Sequence, residues 1–225
     1  MKANRGKRGQ FIIIAVLLAA IMIISIGALM HGAVTYYRHE PWEEYSTIVG
    51  NIEVNSRRLV EISLASYTNS LDDGYILKDN LEKWQNDLTV IYPISGIVLT
   101  HDPTSLVLTS NPSSNPKAKA IFTLDINSIG LKGYIFSVDI SLNMQTIKIT
   151  SDTTYNITAI ITSETGEPLA NLNSKNFEVN GLPPTSVTPF YEDSTLVYKI
   201  VFSGTFPATV TVWDQRGICA ESTVS

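Results

Sequence analysis

Residues 134–142, Tyr134-Ile-Phe-Ser-Val-Asp-Ile-Ser-Leu142, decide how most of this chain folds. Tyr134, Phe136, Val138, Ile140 and Leu142 fall on one side, and Ile135, Ser137, Asp139 and Ser141 on the other. Successive side chains of an extended backbone face opposite ways, so alternation with period two predicts a half-buried antiparallel strand. Upstream, residues 120–126 have the same strand chemistry and connect to it through Gly130 and Gly133. A shorter strand is expected at 105–109, followed by a loop, Asn111-Pro-Ser-Ser-Asn-Pro116, recognised by its composition.

Downstream the same chemistry recurs at regular spacing. Strands are expected at 146–149, 155–163, 176–179, 196–202, 208–214 and 218–220. Turn signals separate them at 164–168, 180–184, 191–194 and 214–217. Six or seven short strands in such a span predict an immunoglobulin-like β-sandwich over 146–225, preceded by a β-rich segment over 94–145. The chain has one cysteine, so the Cys…Trp…Cys framework of true immunoglobulin domains is absent and the resemblance is architectural.

Before the strands, residues 38–93 read as an amphipathic helical stalk or hairpin. Glu40-Pro41-Trp42-Glu43-Glu44 places proline and acidic residues where a helix begins and its dipole favours them. Tyr45, Ile48, Val49, Ile52, Leu59, Ile62 and Ser66 follow at helical spacings and define one expected face. Leu71-Asp72-Asp73-Gly74 breaks this helix. Leu77, Leu81, Trp84, Leu88 and Ile91 carry a second helix that Pro93 ends.

Residues 1–37 are a basic leader and an apolar run. Residues 11–30, FIIIAVLLAAIMIISIGALM, are uncharged and follow MKANRGKRGQ, which holds Lys2, Arg5, Lys7 and Arg8. Twenty helical residues rise about 30 Å, the thickness of a bilayer hydrocarbon core, so a transmembrane helix is expected. The basic residues in front of it put the N-terminus in the cytoplasm and the rest outside a cell membrane crossed once. A cleaved signal peptide is the alternative, offered by the small residues near Ser25–Ala28 and His31–Ala33.

Composition narrows the function classes. Without the four basic leader residues, 12 Lys and Arg face 21 Asp and Glu, a net charge of −9. That balance excludes nucleic acid as an expected partner, because phosphate binding needs clustered cations. Cys219 has no partner for a disulfide and reads as a small buried residue. His31, His39 and His101 lack companions at metal-ligand spacing. Asp72-Asp73 reads as a solvated turn, and Asp125 and Asp139 as wet-face residues of neighbouring strands, with an acid–base pair as the alternative reading of the latter two. No phosphate loop, nucleophile elbow or zinc motif occurs, so neither an enzyme nor a cofactor is expected. Asn156-Ile-Thr158 is the single N-glycosylation sequon; a glycan and an ordinary wet-face asparagine are equal readings.

The junction Lys7-Arg8-Gly9-Gln10-Phe11 resembles the processing site of type IV pilin-like precursors, including archaeal ones. That resemblance implies cleavage after Gly9 by a prepilin peptidase, so that Arg8, Gly9 and Gln10 form the processing site. It also implies identical or related pilin-like subunits as partners, with the lipid bilayer as the starting environment. The family's glutamate at the fifth mature position is replaced by Ile14. The expected fold is α+β: an N-terminal transmembrane helix, a helical stalk and a C-terminal antiparallel β-sandwich. The expected function is structural, as a pilin-like subunit or, alternatively, as an uncleaved single-pass surface protein whose sandwich is an adhesion or binding module.

Overall fold

A computed structural model describes residues 16–31, 42–70, 74–109, 113–150 and 155–225. The chain divides into two compact units, Met1–Ile52 and Glu53–Ser225. In the first, helix α1 covers 16–31 and its residues are exposed throughout. Helix α2, Trp42–Asn69, begins in this unit and continues into the second.

The transmembrane expectation is corrected here. Among the described residues no helix is long and apolar enough to cross a membrane. The sixteen residues of α1 rise about 24 Å, short of the roughly 30 Å of a hydrocarbon core. Residues 11–15 of the apolar run lie outside the described residues, as does the leader. The N-terminal transmembrane helix, and the single-pass placement with a cytoplasmic N-terminus and an outer domain, are therefore withdrawn.

The second unit is dominated by antiparallel strands. They are β1 (Ile97–His101), β2 (Val107–Leu108), β3 (Lys117–Ile126), β4 (Leu131–Thr150), β5 (Tyr155–Ser163), β6 (Phe177–Val179), β7 (Ser186–Glu192), β8 (Thr195–Phe202), β9 (Ala208–Trp213) and β10 (Cys219–Val224). One sheet has the order β1-β3-β4-β5-β8-β7, with β2 also paired to β3; the other is β10-β9-β6. Strand β4 is the hub. Its first half pairs with β3, Ala120 opposite Val138 and Phe122 opposite Phe136. Its second half pairs with β5, Met144 opposite Ile161 and Thr146 opposite Ala159. The expected boundary at 145/146 thus falls inside a single 20-residue strand.

Alternation decides what is buried. In β3, Ala118, Ala120, Phe122, Leu124 and Ile126 are buried, and Phe122 stacks on Phe136 with ring centroids 4.9 Å apart. In β9, Ala208, Val210 and Val212 do the same. Strands β4-β5-β8-β7 face β10-β9-β6. Phe177 of β6 lies 5.6 Å from Tyr198 of β8, and the Thr146 and Ser222 hydroxyls are hydrogen-bonded at 2.7 Å. Residues 113–116 strap one seam of this sandwich: Met144 N–H donates to Ser114 O, Leu142 N–H to Pro116 O, and Glu221 N–H to Ser113 O. The larger sheet continues beyond β4 into β3 and β1, so the β-rich fold is only loosely compatible with the expected immunoglobulin-like sandwich.

Strand β7, like β1, is absent from the sequence expectation. Its residues, SVTPFYE, are mostly exposed and include Pro189, which suits a sheet edge because it has no outward donor to offer. It joins β8 through Asp193 and Ser194, both at positive φ, in a two-residue hairpin closed by Glu192 and Thr195.

Helix α3 is Ile76–Ile91, with Leu77, Leu81 and Leu88 buried, and it lies against β1. The face of α2 differs from the expected one. Ile52, Ser56, Val60, Ser63, Leu64 and Thr68 are buried, whereas Ile62 is 63% exposed. The reason is polar pairing: Trp84 Nε1 donates to Ser56 Oγ at 3.1 Å, and Asn80 Nδ2 to Ser63 Oγ at 3.0 Å. Satisfied serines bring two helices close without the cost of an unpaired buried hydroxyl.

Candidate functional site

The most developed side-chain cluster in the second unit joins α2 to the β-rich body. It starts from the turn after β9. Asp214 Oδ1 accepts the Arg216 and Ile218 backbone N–H groups, each at 2.9 Å, and Gly217 takes φ +79°. That turn folds the Arg216 side chain back over the body. Its Nε donates to Asp214 Oδ2 at 2.7 Å, Nη1 to Glu164 Oε2 at 2.9 Å and Nη2 to Ser141 O at 3.2 Å. Glu61 Oε1 on α2 is 4.0 Å from Nη1. Arg57, one helical turn before Glu61, pairs with it at 3.3 Å and also donates to Glu164.

Two guanidinium groups therefore share three carboxylates. Burial works against the charge on Glu164, but its backbone hydrogen bond and the Arg216 and Arg57 guanidiniums outweigh it, so the carboxyl lies below its ordinary value. Burial likewise opposes the Arg216 charge, and Asp214 and Glu164 reverse that, holding the guanidinium more firmly protonated than usual. Asp214 is only 3% exposed, and its partners satisfy it on both oxygens. Such a cluster fixes position; it leaves no lone base and no unengaged nucleophile.

Further polar bonds fasten the same helix. Asn69 Oδ1 accepts from Trp213 Nε1 at 2.8 Å, and Asn69 Nδ2 donates to Gly217 O at 2.7 Å. Thr68 Oγ1 accepts the Cys219 N–H at 3.1 Å, and Tyr134 Oη donates to Glu53 Oε1 at 2.6 Å. Beside the cluster, the 169–172 loop and Asp214, Gln215 and Arg216 line an open pocket of about 360 Å³. Tyr198 Oη, inside the sandwich, holds that loop by donating to Leu169 O at 2.6 Å and accepting Leu172 N–H at 3.3 Å.

The residues singled out in the sequence fall elsewhere. Arg8, Gly9 and Gln10 lie outside the described residues, as do Ile14, His39, Asp72 and Asp73. His31 is on α1, far along the chain from His101, whose Nδ1 is 2.7 Å from Gln85 Nε2. Asp125 accepts the Gly133 N–H at 2.6 Å, while Asp139 pairs with Lys117 at 3.1 Å. Asp139 sits opposite Lys119, six residues along β3 from Asp125, so the two carboxylates are about 20 Å apart and make no acid–base pair. Asn156 is 4% exposed in β5 rather than on a wet face, and a glycan there would have to displace its neighbours. Burial pushes the Cys219 thiol up to about 11, with Glu221 and Glu178 adding to it, so it stays a protonated thiol. Among the described residues no three His, Cys, Asp or Glu side chains gather as metal ligands.

Sequence reasoning missed the Arg57–Glu61–Glu164–Asp214–Arg216 cluster. Its only local signal is the i, i+4 spacing of Arg57 and Glu61. Compared with known proteins, the chain matches no family model, no curated protein and no solved structure.

Proposed function

We propose that this chain is a structural subunit, pilin-like in plan, that associates with copies of itself through α1 and presents its β-rich unit. The observation that supports this reading is the surface of α1. Ten large apolar side chains from Val16 to Met30 are between 50% and 74% exposed. A helix that packs on one body carries an apolar stripe and a polar back; α1 has no polar back. Exposed apolar surface on this scale marks an association site, and a helix apolar on every side needs partners on more than one side. Identical or related subunits supply such helices. The Arg8-Gly9-Gln10 junction adds processing by a prepilin peptidase, which removes the charged leader ahead of the apolar helix. This reading assigns the chain no catalysis.

Mass spectrometry of the mature N-terminus tests the proposal. A chain beginning at Gln10 supports it, and one that keeps Met1 or Lys2 overturns the pilin-like part. In the same assay Gly9→Val leaves the precursor uncut and removes any filaments seen by electron microscopy.

A further inference from the structure

We propose that the outward faces of α2 and α3 form a second contact between copies of this chain, with Arg58 of one copy paired to Asp87 of another. The inference rests on the self-association reading above and adds a contact that α1 does not supply.

Its starting point is the pair of large aliphatic side chains left on the outer side of α2. The inward face carries Ile52, Val60 and Leu64 together with Ser56 and Ser63, all buried, while Val54 and Ile62 on the outside are 51% and 63% exposed. Val54, Arg58 and Ile62 are spaced by four, so they stand on one side of the helix with the cation between the two aliphatic side chains. Arg57 next to it is engaged by Glu61 and Glu164, whereas Arg58 enters no ion pair among the described residues.

Helix α3 offers the complement. Asp87 is exposed, with Val90 and Ile91 at i+3 and i+4, 77% and 55% exposed, and Ile94 just beyond the helix at 95%. Asp87 also enters no ion pair among the described residues, and neither does Lys83 one turn before it. One face is thus aliphatic around a cation, and the other is aliphatic around Asp87 with Lys83 on the side away from Val90, Ile91 and Ile94, a match of shape class and of sign at Arg58 and Asp87 that a second copy provides at equal concentration. Each face is smaller than the roughly 800 Å² per partner of a standard interface. The contact therefore works alongside α1, which raises the effective concentration of one face near the other.

Charge reversal in the full-length chain tests this. R58E alone and D87R alone each place like charges across the contact and should lower association several-fold in sedimentation velocity. Mixing the two variants restores opposite charges at every contact and should recover the wild-type distribution, which a folding defect would not do. Single variants that associate like the wild type, or a mixture that fails to recover, overturn the proposal. I23D in α1 separates the two readings. If I23D dissociates the chain while R58E and D87R behave as wild type, the Arg58–Asp87 contact fails and assembly through α1 stands. If I23D associates normally while both charge variants do not, the contact stands and the α1 reading fails. A wild-type chain that is monomeric throughout overturns both.

Discussion

In β3 every second side chain is buried, and the residues between are half-buried; in α1 the large apolar side chains stand exposed on all sides. Both regions draw on Ala, Ile and Leu. The difference lies in the period and in what shares it. Alternation in β3 gives each apolar row a definite inward direction, and the register with β4 fills it, Phe122 against Phe136. The sequence of α1 gives little direction, because Ser25 and the terminal His31 are its only polar side chains. Hydrophobicity that is patterned builds a fold within one chain, and hydrophobicity without pattern leaves α1 exposed on all sides.

Substitutions can break this comparison from either side. Phe122→Ala has the largest expected effect: deleting a fully buried ring from the sheet core should cost about 3–5 kcal/mol in denaturant unfolding. A loss below about 1 kcal/mol would mean that the β3–β4 layer does not carry the body. Next comes Arg216→Met, which keeps the side-chain bulk but leaves Asp214 and Glu164 without their shared donor. A loss of about 1–3 kcal/mol is expected, since Asp214 Oδ2 and Glu164 Oε2 each lose a charged donor.

Acid should act on the same cluster more gently. Glu164 lies below its ordinary value of 4.5 in the folded chain, so it binds fewer protons folded than unfolded. Its contribution is fully present above pH 4.5 and is lost as the pH falls through the lower folded value. Chemical unfolding at pH 6 and pH 3 should therefore show a drop that shrinks in Glu164→Gln; equal drops in both chains would remove Glu164 from the account. The smallest effect is expected for Ile23→Asp. With its side chain exposed, the substitution should change the unfolding of the β-rich unit by no more than about 0.5 kcal/mol. A large destabilisation would show that α1 is patterned for its own fold after all.

Much of the β-rich unit was legible because alternation is a local signal. Residues 134–142 identify β4, and 155–163 coincide with β5. The full length of β4 was not legible, since beyond Leu142 the alternation blurs: Ile147 is 61% exposed, and Lys148 lies over the Phe206 ring at 4.0 Å. Strand β7 was hidden by Pro189 and by its exposed residues, which look like a loop when read alone. On α2, counting apolar residues favoured Ile62 over Ser63. The buried serines find their donors on α3, a pairing that hydropathy does not encode. The apolar run read as a membrane span on length, and the described helix falls short of that length.

The sequence by itself determined most of the strands, several of their turns and the absence of a disulfide, because each depends on residues within a few positions of one another. Tertiary structure decided which strands share a sheet, that one 20-residue strand joins both halves of the larger one, and that Arg216 meets Glu164 and Glu61. Those contacts bring together residues 52 and more positions apart. Only the folded chain sets that distance, since the strength of an ion pair or a buried hydrogen bond depends on separation and surroundings in space, and neither is written in sequence order.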